Sequence, residues 1–93
     1  MVTLNQIREA RTRIQSSVYC TPILHASYRD LDHRKIFLKM ENFQMTGSFK
    51  ERGAANKLLK MNLDRQSGPC EIIAASAGNH SQAVSLHGTK LGC

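Results

Sequence analysis

"MTGSFKERGAAN", Met45 to Asn56, is the stretch on which the fold turns. Ser48 and Glu51 stand at the S-x-x-E spacing of a capping box. Behind them Ala54, Leu58 and Met61 share one helical face, with Ala55 and Leu59 beside it. This pattern predicts a helix over about 49–62. It also puts Lys50 at the second helical position, where the partial positive charge of a helix start disfavours a cation. Arg52 is a like-charged neighbour, and burial beside Phe49 would strip water from the amine, so both act in the same direction as the dipole. Glu51 acts the other way unless the capping box occupies its carboxylate. A lysine under such pressure has the chemistry of a Schiff-base former. Alone, the feature is equally that of an ordinary exposed lysine.

The flanking elements follow from periodicity and punctuation. Thr3-Leu4-Asn5-Gln6 is a T-x-x-Q capping box, and Leu4, Ile7, Ala10, Ile14 and Val18 recur at helical spacing, which predicts a helix over 4–17. Thr21-Pro22 ends it, because the residue before a proline is pushed towards extended conformations. "ILHAS" (23–27) reads as a short strand and "YRDLDHR" (28–34) as a polar connection. A further strand runs from Ile36 to about Glu41, and "NFQMTG" (42–47) is a loop with Gly47 just before the central helix. Beyond that helix, "NLDRQSGP" (62–69) is turn chemistry. "EIIAAS" (71–76) is a short apolar strand of the kind buried in parallel sheets. A last helix is predicted from Asn79 or His80 to Lys90.

The order α, β, β, α, β, α is that of an alternating α/β protein. An open parallel sheet needs helices on both faces and more strands than these, so the chain reads as the front part of a larger unit. Apolar pairs such as Leu58 with Met61 and Ile72 with Ile73 expect partners that are absent, which predicts a loosely folded or self-associating species.

Composition narrows the function classes. The 93 residues include 13 Lys and Arg against 7 Asp and Glu, a net charge of +6, within a single-domain length. No apolar run is long enough to span a membrane, and the first residues lack the apolar core of a secretory signal, so a cytoplasmic setting is expected. The basic residues are dispersed, and two Tyr with three Phe offer little for base stacking, so nucleic-acid binding is disfavoured. Cys20, Cys70 and Cys93 are an odd number without C-x-x-C spacing and read as reduced thiols rather than a disulfide framework. His25, His33, His80 and His87 form no metal pattern, so no metal is expected.

A second motif, "IIAASAGNHSQA" (Ile72 to Ala83), carries chemistry of its own. Small residues at Ser76, Ala77 and Gly78 between a strand and a helix let backbone N–H groups approach a carboxylate or phosphate, and Asn79 adds a side-chain donor. The plainer reading is that Ser76 or Asn79 simply caps the helix. Two such turns at strand-to-helix junctions of one α/β unit favour a shared cleft, since ligands collect outside the carboxyl ends of the strands. A lysine facing a carboxylate-binding turn points to amino-acid chemistry.

Together, "KMENFQMTGSFKERGAANK" (39–57) and "AASAGNHSQAVSLHGTKLG" (74–92), with "TPI" at 21–23, resemble the N-terminal part of the threonine/serine dehydratases. These are pyridoxal-phosphate lyases of the three-layer fold shared with tryptophan synthase β (fold type II). The resemblance implies that Lys50 forms the Schiff base with the cofactor, that Phe49 packs beside its ring and that Asn79 contacts the ring hydroxyl. It further implies that Ser76, Ala77, Gly78 and His80 take the substrate carboxylate. Implied too are water elimination from L-threonine or L-serine, giving a 2-oxo acid and ammonia, and homo-oligomers among full-length relatives. Residues 1–93 would be the first part of such a lyase domain.

"TGSFKERGA" points to the catabolic type. Ala77 stands where related serine racemases tend to have a second serine, which favours dehydration over racemisation. Ala83 departs from the family's usual glycine, and its methyl group is expected to crowd helix packing. The family's glycine-rich phosphate loop and the residue facing the ring nitrogen lie further downstream and have no counterpart here. The alternatives are a truncated chain serving as a non-catalytic interaction module, or a serine racemase.

Overall fold

The computed structural model describes residues 1–29, 33–64 and 70–93. Helix α1 (Leu4–Ile14) opens on the predicted capping box. The Thr3 hydroxyl accepts from the Gln6 N–H at 3.3 Å, and the Gln6 side chain accepts from the Thr3 N–H at 2.9 Å. The helix closes three residues earlier than its apolar spacing predicts. The N–H groups of Ser17 and Val18 both donate to the Ile14 carbonyl, tightening the chain into a turn that satisfies that helix end.

Strands β1 (Ile23–Arg29) and β2 (Lys35–Lys39) pair antiparallel, with Ile23 opposite Lys39 and His25 opposite Phe37, and the register slips before Arg29 meets Lys35. The His25 and Phe37 rings meet edge to face at 5.2 Å, a cross-strand contact. β1 thus continues beyond "ILHAS" into the stretch expected to be a connection, whose residues 30–32 lie outside the described ones. A 3₁₀ turn, Glu41–Phe43, leads to Gly47, whose φ of +71° suits a residue without a Cβ. Gly47→Ala is expected to cost about 1 kcal/mol, read from the urea unfolding midpoint.

Helices α2 (Lys50–Asp64) and α3 (Asn79–Lys90) pack on each other and hold most of the core. Ala54, Ala55 and Leu58 are buried on α2, and Ala83, His87 and Gly88 on α3. The Ala83 methyl, expected to crowd this contact, is fully enclosed within it. α1 rests on α2 through buried Ile14 and a hydrogen bond from Arg13 to Asn56. The predicted turn after α2 falls largely on residues 65–69, outside the described ones. No helix among the described residues is long and apolar enough to cross a membrane.

Two expectations are corrected. Residues 71–76 form no strand, and the sheet is two-stranded and antiparallel rather than open and parallel. Ladder hydrogen bonds need a neighbouring strand, and none lies beside this segment among the described residues. It packs instead on α3, close enough that a Cβ at Gly88 would stand 3.3 Å from Ile72 Cδ1. In keeping with this, Ile73 is 98 % exposed and Phe37 60 %. The radius of gyration is 16.2 Å, against about 12 Å for a compact domain of this length.

The second correction concerns the thiols. Cys70 and Cys93, expected to be reduced, are joined by a disulfide with their Cα atoms 4.6 Å apart, whereas Cys20 is free and exposed. The segment after Cys70 lies along α3, so its start meets the residues that follow the helix. A separation of 23 residues carries no sign of this in the sequence. Iodoacetamide without reductant is therefore expected to alkylate Cys20 alone, and with dithiothreitol all three cysteines, as counted by mass.

Candidate functional site

Lys50 opens α2, and its amide donates to the Ser48 hydroxyl at 3.2 Å. The Glu51 N–H, the donor that the predicted capping box requires, instead meets the Ser48 carbonyl at 3.5 Å, so the first half of the box is not made. Nor does the other half form, because the Glu51 carboxylate is fully buried and accepts instead from the Thr46 N–H. Its second oxygen lies 3.7 Å from His87 Nε2 on α3, and neither atom has a hydrogen-bond partner among the described residues. Burial is the main force holding the His87 imidazole below the usual histidine range; Lys90 adds to it and Glu51 opposes it.

Phe49 and Lys50 are both exposed, so the expected burial of the lysine beside the ring is not found. The Lys50 ammonium lies 5.3 Å from the centroid of the Phe49 ring, within cation–π range. Nor does Arg52 crowd Lys50 as an unpaired charge. Its guanidinium grips the Glu41 carboxylate at 2.7 Å through both Nε and Nη2. Glu41 also accepts from the Thr21 hydroxyl and from the Gln44 amide. These donors, Arg52 first, hold the Glu41 carboxyl down to about 2, and Glu41 in turn raises the Arg52 value. Gln44 further bonds both the N–H and the carbonyl of Tyr19 at 2.9 Å, and Arg52 reaches the same carbonyl. One polar network thus ties the chain after α1, the 3₁₀ turn and the first turn of α2.

A cleft of 660 Å³ opens between α2, α3 and the 71–74 segment. Phe49, Lys50 and Lys57 stand on one wall, with His80 and Val84 of α3 opposite and Leu58, Met61, Ile72 and Ile73 supplying the apolar surface. The volume is that of a small-ligand site. Of the residues singled out in the sequence, Phe49, Lys50 and His80 come together here. Ser76, Ala77, Gly78 and Asn79 are not among the walls.

The turn before α3 differs from the simple cap. Gly78 is the N-cap residue, and the Ser76 hydroxyl accepts from the Gly78 N–H at 3.3 Å. No side chain among the described residues caps the opening N–H groups of α3.

Sequence reasoning passed over Glu41 and His87. Glu41 had a signal, an acidic residue at the end of a strand eleven positions before an arginine. His87 had none, because its role depends on how α3 is turned against α2.

Comparisons with known proteins bear on the family. A profile of the family described as "pyridoxal-phosphate dependent enzyme" matches residues 14–93. The catabolic L-threonine dehydratase TdcB of Staphylococcus aureus is 42 % identical over 94 residues, covering 99 % of this chain and 27 % of that protein. The L-threonine ammonia-lyase of Thermotoga maritima is 43 % identical over 88 residues, covering 92 % of this chain and 21 % of the other. Among solved structures, a pyridoxal 5'-phosphate-dependent aspartate racemase superposes with a TM-score of 0.82 at 34 % identity, over 98 % of this chain and 29 % of its own. The chain therefore spans about a quarter of the length of the curated relatives it matches.

Proposed function

The chain belongs to the pyridoxal-phosphate dependent enzymes, and we propose that it carries the lysine and the carboxylate-binding turn of a threonine/serine dehydratase. The observation that carries this reading is one cleft with Lys50 on one wall and His80 on the other, joining two motifs thirty residues apart. Residues 1–93 would then be the first part of the lyase domain.

The residues present suit pyridoxal phosphate. A primary amine beside an aromatic ring, on a cleft of small-ligand size, offers an attachment point and a flat apolar support. The uncapped start of α3 offers N–H donors for an anion. Bound pyridoxal phosphate supplies a sink for the electrons left when a proton departs from the substrate's α-carbon.

The chain's own residues do the rest. Lys50 would hold the cofactor through its Nζ amine, and that amine would take the α-proton of L-threonine or L-serine. Phe49 supports the ring, and Asn79 meets the ring hydroxyl. Ser76, Ala77, Gly78 and His80 hold the substrate carboxylate, so that the α-proton stays within reach of the Lys50 amine. Loss of the β-hydroxyl as water, followed by hydrolysis of the remaining enamine by a solvent water, would then give a 2-oxo acid and ammonia.

The test is a titration of the purified chain with pyridoxal phosphate. A visible absorbance band is expected, and after borohydride reduction the cofactor's mass is expected on the peptide bearing Lys50. No band, with labelling scattered over many lysines, would leave the reading of a non-catalytic module. The racemase reading has the solved aspartate racemase in its favour. It predicts D-amino acid from the loaded protein, whereas dehydration predicts a 2-oxo acid.

A further inference from the structure

Among the described residues Glu51 is the largest fully buried side chain, and it immediately follows Lys50. An enclosed carboxylate is costly unless its oxygens are met. Arg52 does not meet it, being committed to Glu41. Two groups from separate parts of the chain do approach. The Thr46 N–H, in the loop before α2, donates to one oxygen, and His87 Nε2, on α3, stands 3.7 Å from the other. Loop, helix start and neighbouring helix thus converge on a single side chain.

The geometry has a consequence for Lys50. Successive residues on an α-helix point about 100° apart. Turning Glu51 inward towards α3, in line with fully buried Ala55 one turn on, leaves Lys50, Ala54 and Lys57 on the cleft side. On α3, His80 and His87 are seven residues apart and so nearly in register, the first on the cleft and the second against Glu51.

We infer that Glu51 and His87 are positioning residues, which lock the rotation of α2 against α3 and thereby hold the Lys50 amine on the cleft wall opposite His80. A neutral His87 is suited to the part, since its Nε2 can donate to the Glu51 carboxylate without bringing a second charge into the core. The inference rests on the proposed role of Lys50, and its test separates the two.

Glu51→Ala, Glu51→Gln and His87→Ala are compared with the parent chain by two readouts. Amide exchange at Thr46 reports the clasp without any cofactor. The borohydride-fixed share of pyridoxal phosphate at Lys50, relative to Lys57, reports where the amine stands. Glu51→Ala is expected to speed Thr46 exchange at least tenfold and to lower the Lys50 share about tenfold. Glu51→Gln keeps an oxygen for the Thr46 N–H and a polar group for His87, and is expected to stay within about threefold of the parent in both. His87→Ala leaves the Thr46 bond in place and is expected to lower the Lys50 share alone.

Faster Thr46 exchange with an unchanged Lys50 share would overturn the positioning role and leave a purely structural pair. If Glu51→Ala does not fold, His87→Ala decides: an unchanged Lys50 share in that variant overturns the inference. A parent chain with a protected Thr46 amide, exposed by Glu51→Ala, but with no preference for Lys50 would support the clasp and defeat the cofactor reading instead.

Discussion

Lys50→Ala is expected to abolish the cofactor's absorbance band and to leave only the minor borohydride-fixed label at Lys57 in the cleft, while Lys57→Ala keeps the band and the label at Lys50. Each lysine carries the same amine and each lines the same cleft. Only Lys50 has an aromatic ring beside it, and it opens the helix next to the residue that α3 clasps. The comparison therefore separates a placed amine from a merely accessible one. Loss of folding cannot account for the result, because Lys50 is exposed and its truncation is expected to move stability by no more than about 0.5 kcal/mol. A urea unfolding midpoint within error of the parent's checks this. Equal loss in the two variants would assign the label to lysines at large.

Acid is expected to unfold the chain through Glu41. Its carboxyl is held near 2 by the Arg52 guanidinium, with Thr21 and Gln44 as further donors, against 4.5 for a free side chain. A group whose folded value is depressed contributes stability that is fully present above the unfolded value and is lost as the pH falls through the folded one. The window is therefore from about pH 5 down to about pH 2. Within it the shift corresponds to about 3 kcal/mol, at 1.36 kcal/mol per unit. The Glu41 side chain is 16 % exposed and its partner Arg52 34 %, so solvent screening makes this figure an upper bound. Against a total stability of some 5–15 kcal/mol for a natural domain this is a large share. Glu41→Gln is expected to remove the pH dependence in that window and to lower stability at pH 7 by a similar amount. Urea unfolding at pH 7, 5, 4 and 3 reads both effects. A parent chain equally stable at pH 5 and pH 3 would show that the Glu41–Arg52 contact carries no such weight.

The first prediction concerns Lys50 on the first turn of α2 and the second Glu41, whose partner Arg52 stands on that turn, yet they differ in how visible they are in the sequence. Lys50 stands out because its charge conflicts with its position at a helix start, and because a second small-residue turn follows at a strand-to-helix junction. Glu41 and Arg52 are separated by a 3₁₀ turn and a loop, so no helical or strand period links them. The reading of Arg52 as a like-charged neighbour of Lys50 weighed sequence proximity, whereas the guanidinium extends away to a carboxylate eleven residues earlier. The capping box at Ser48 and Glu51 failed for a related reason. Glu51 found a donor in the preceding loop, and its burial against α3 placed it out of reach of the Ser48 N–H.

What the sequence determined by itself is local: the capping box at Thr3, the helices that become α1, α2 and α3, and the presence of the two strands that become β1 and β2. These follow from bonds between residues three or four apart and from side-chain periods of 3.6 and 2, which are written along the chain. The tertiary structure alone decided the rest. It set β1 antiparallel to β2, left 71–76 without a ladder, joined Cys70 to Cys93 and enclosed Glu51 beside His87. Each of these depends on which elements become neighbours in space. That is settled by apolar faces seeking cover and polar groups seeking partners across long separations, and no spacing between residues records it.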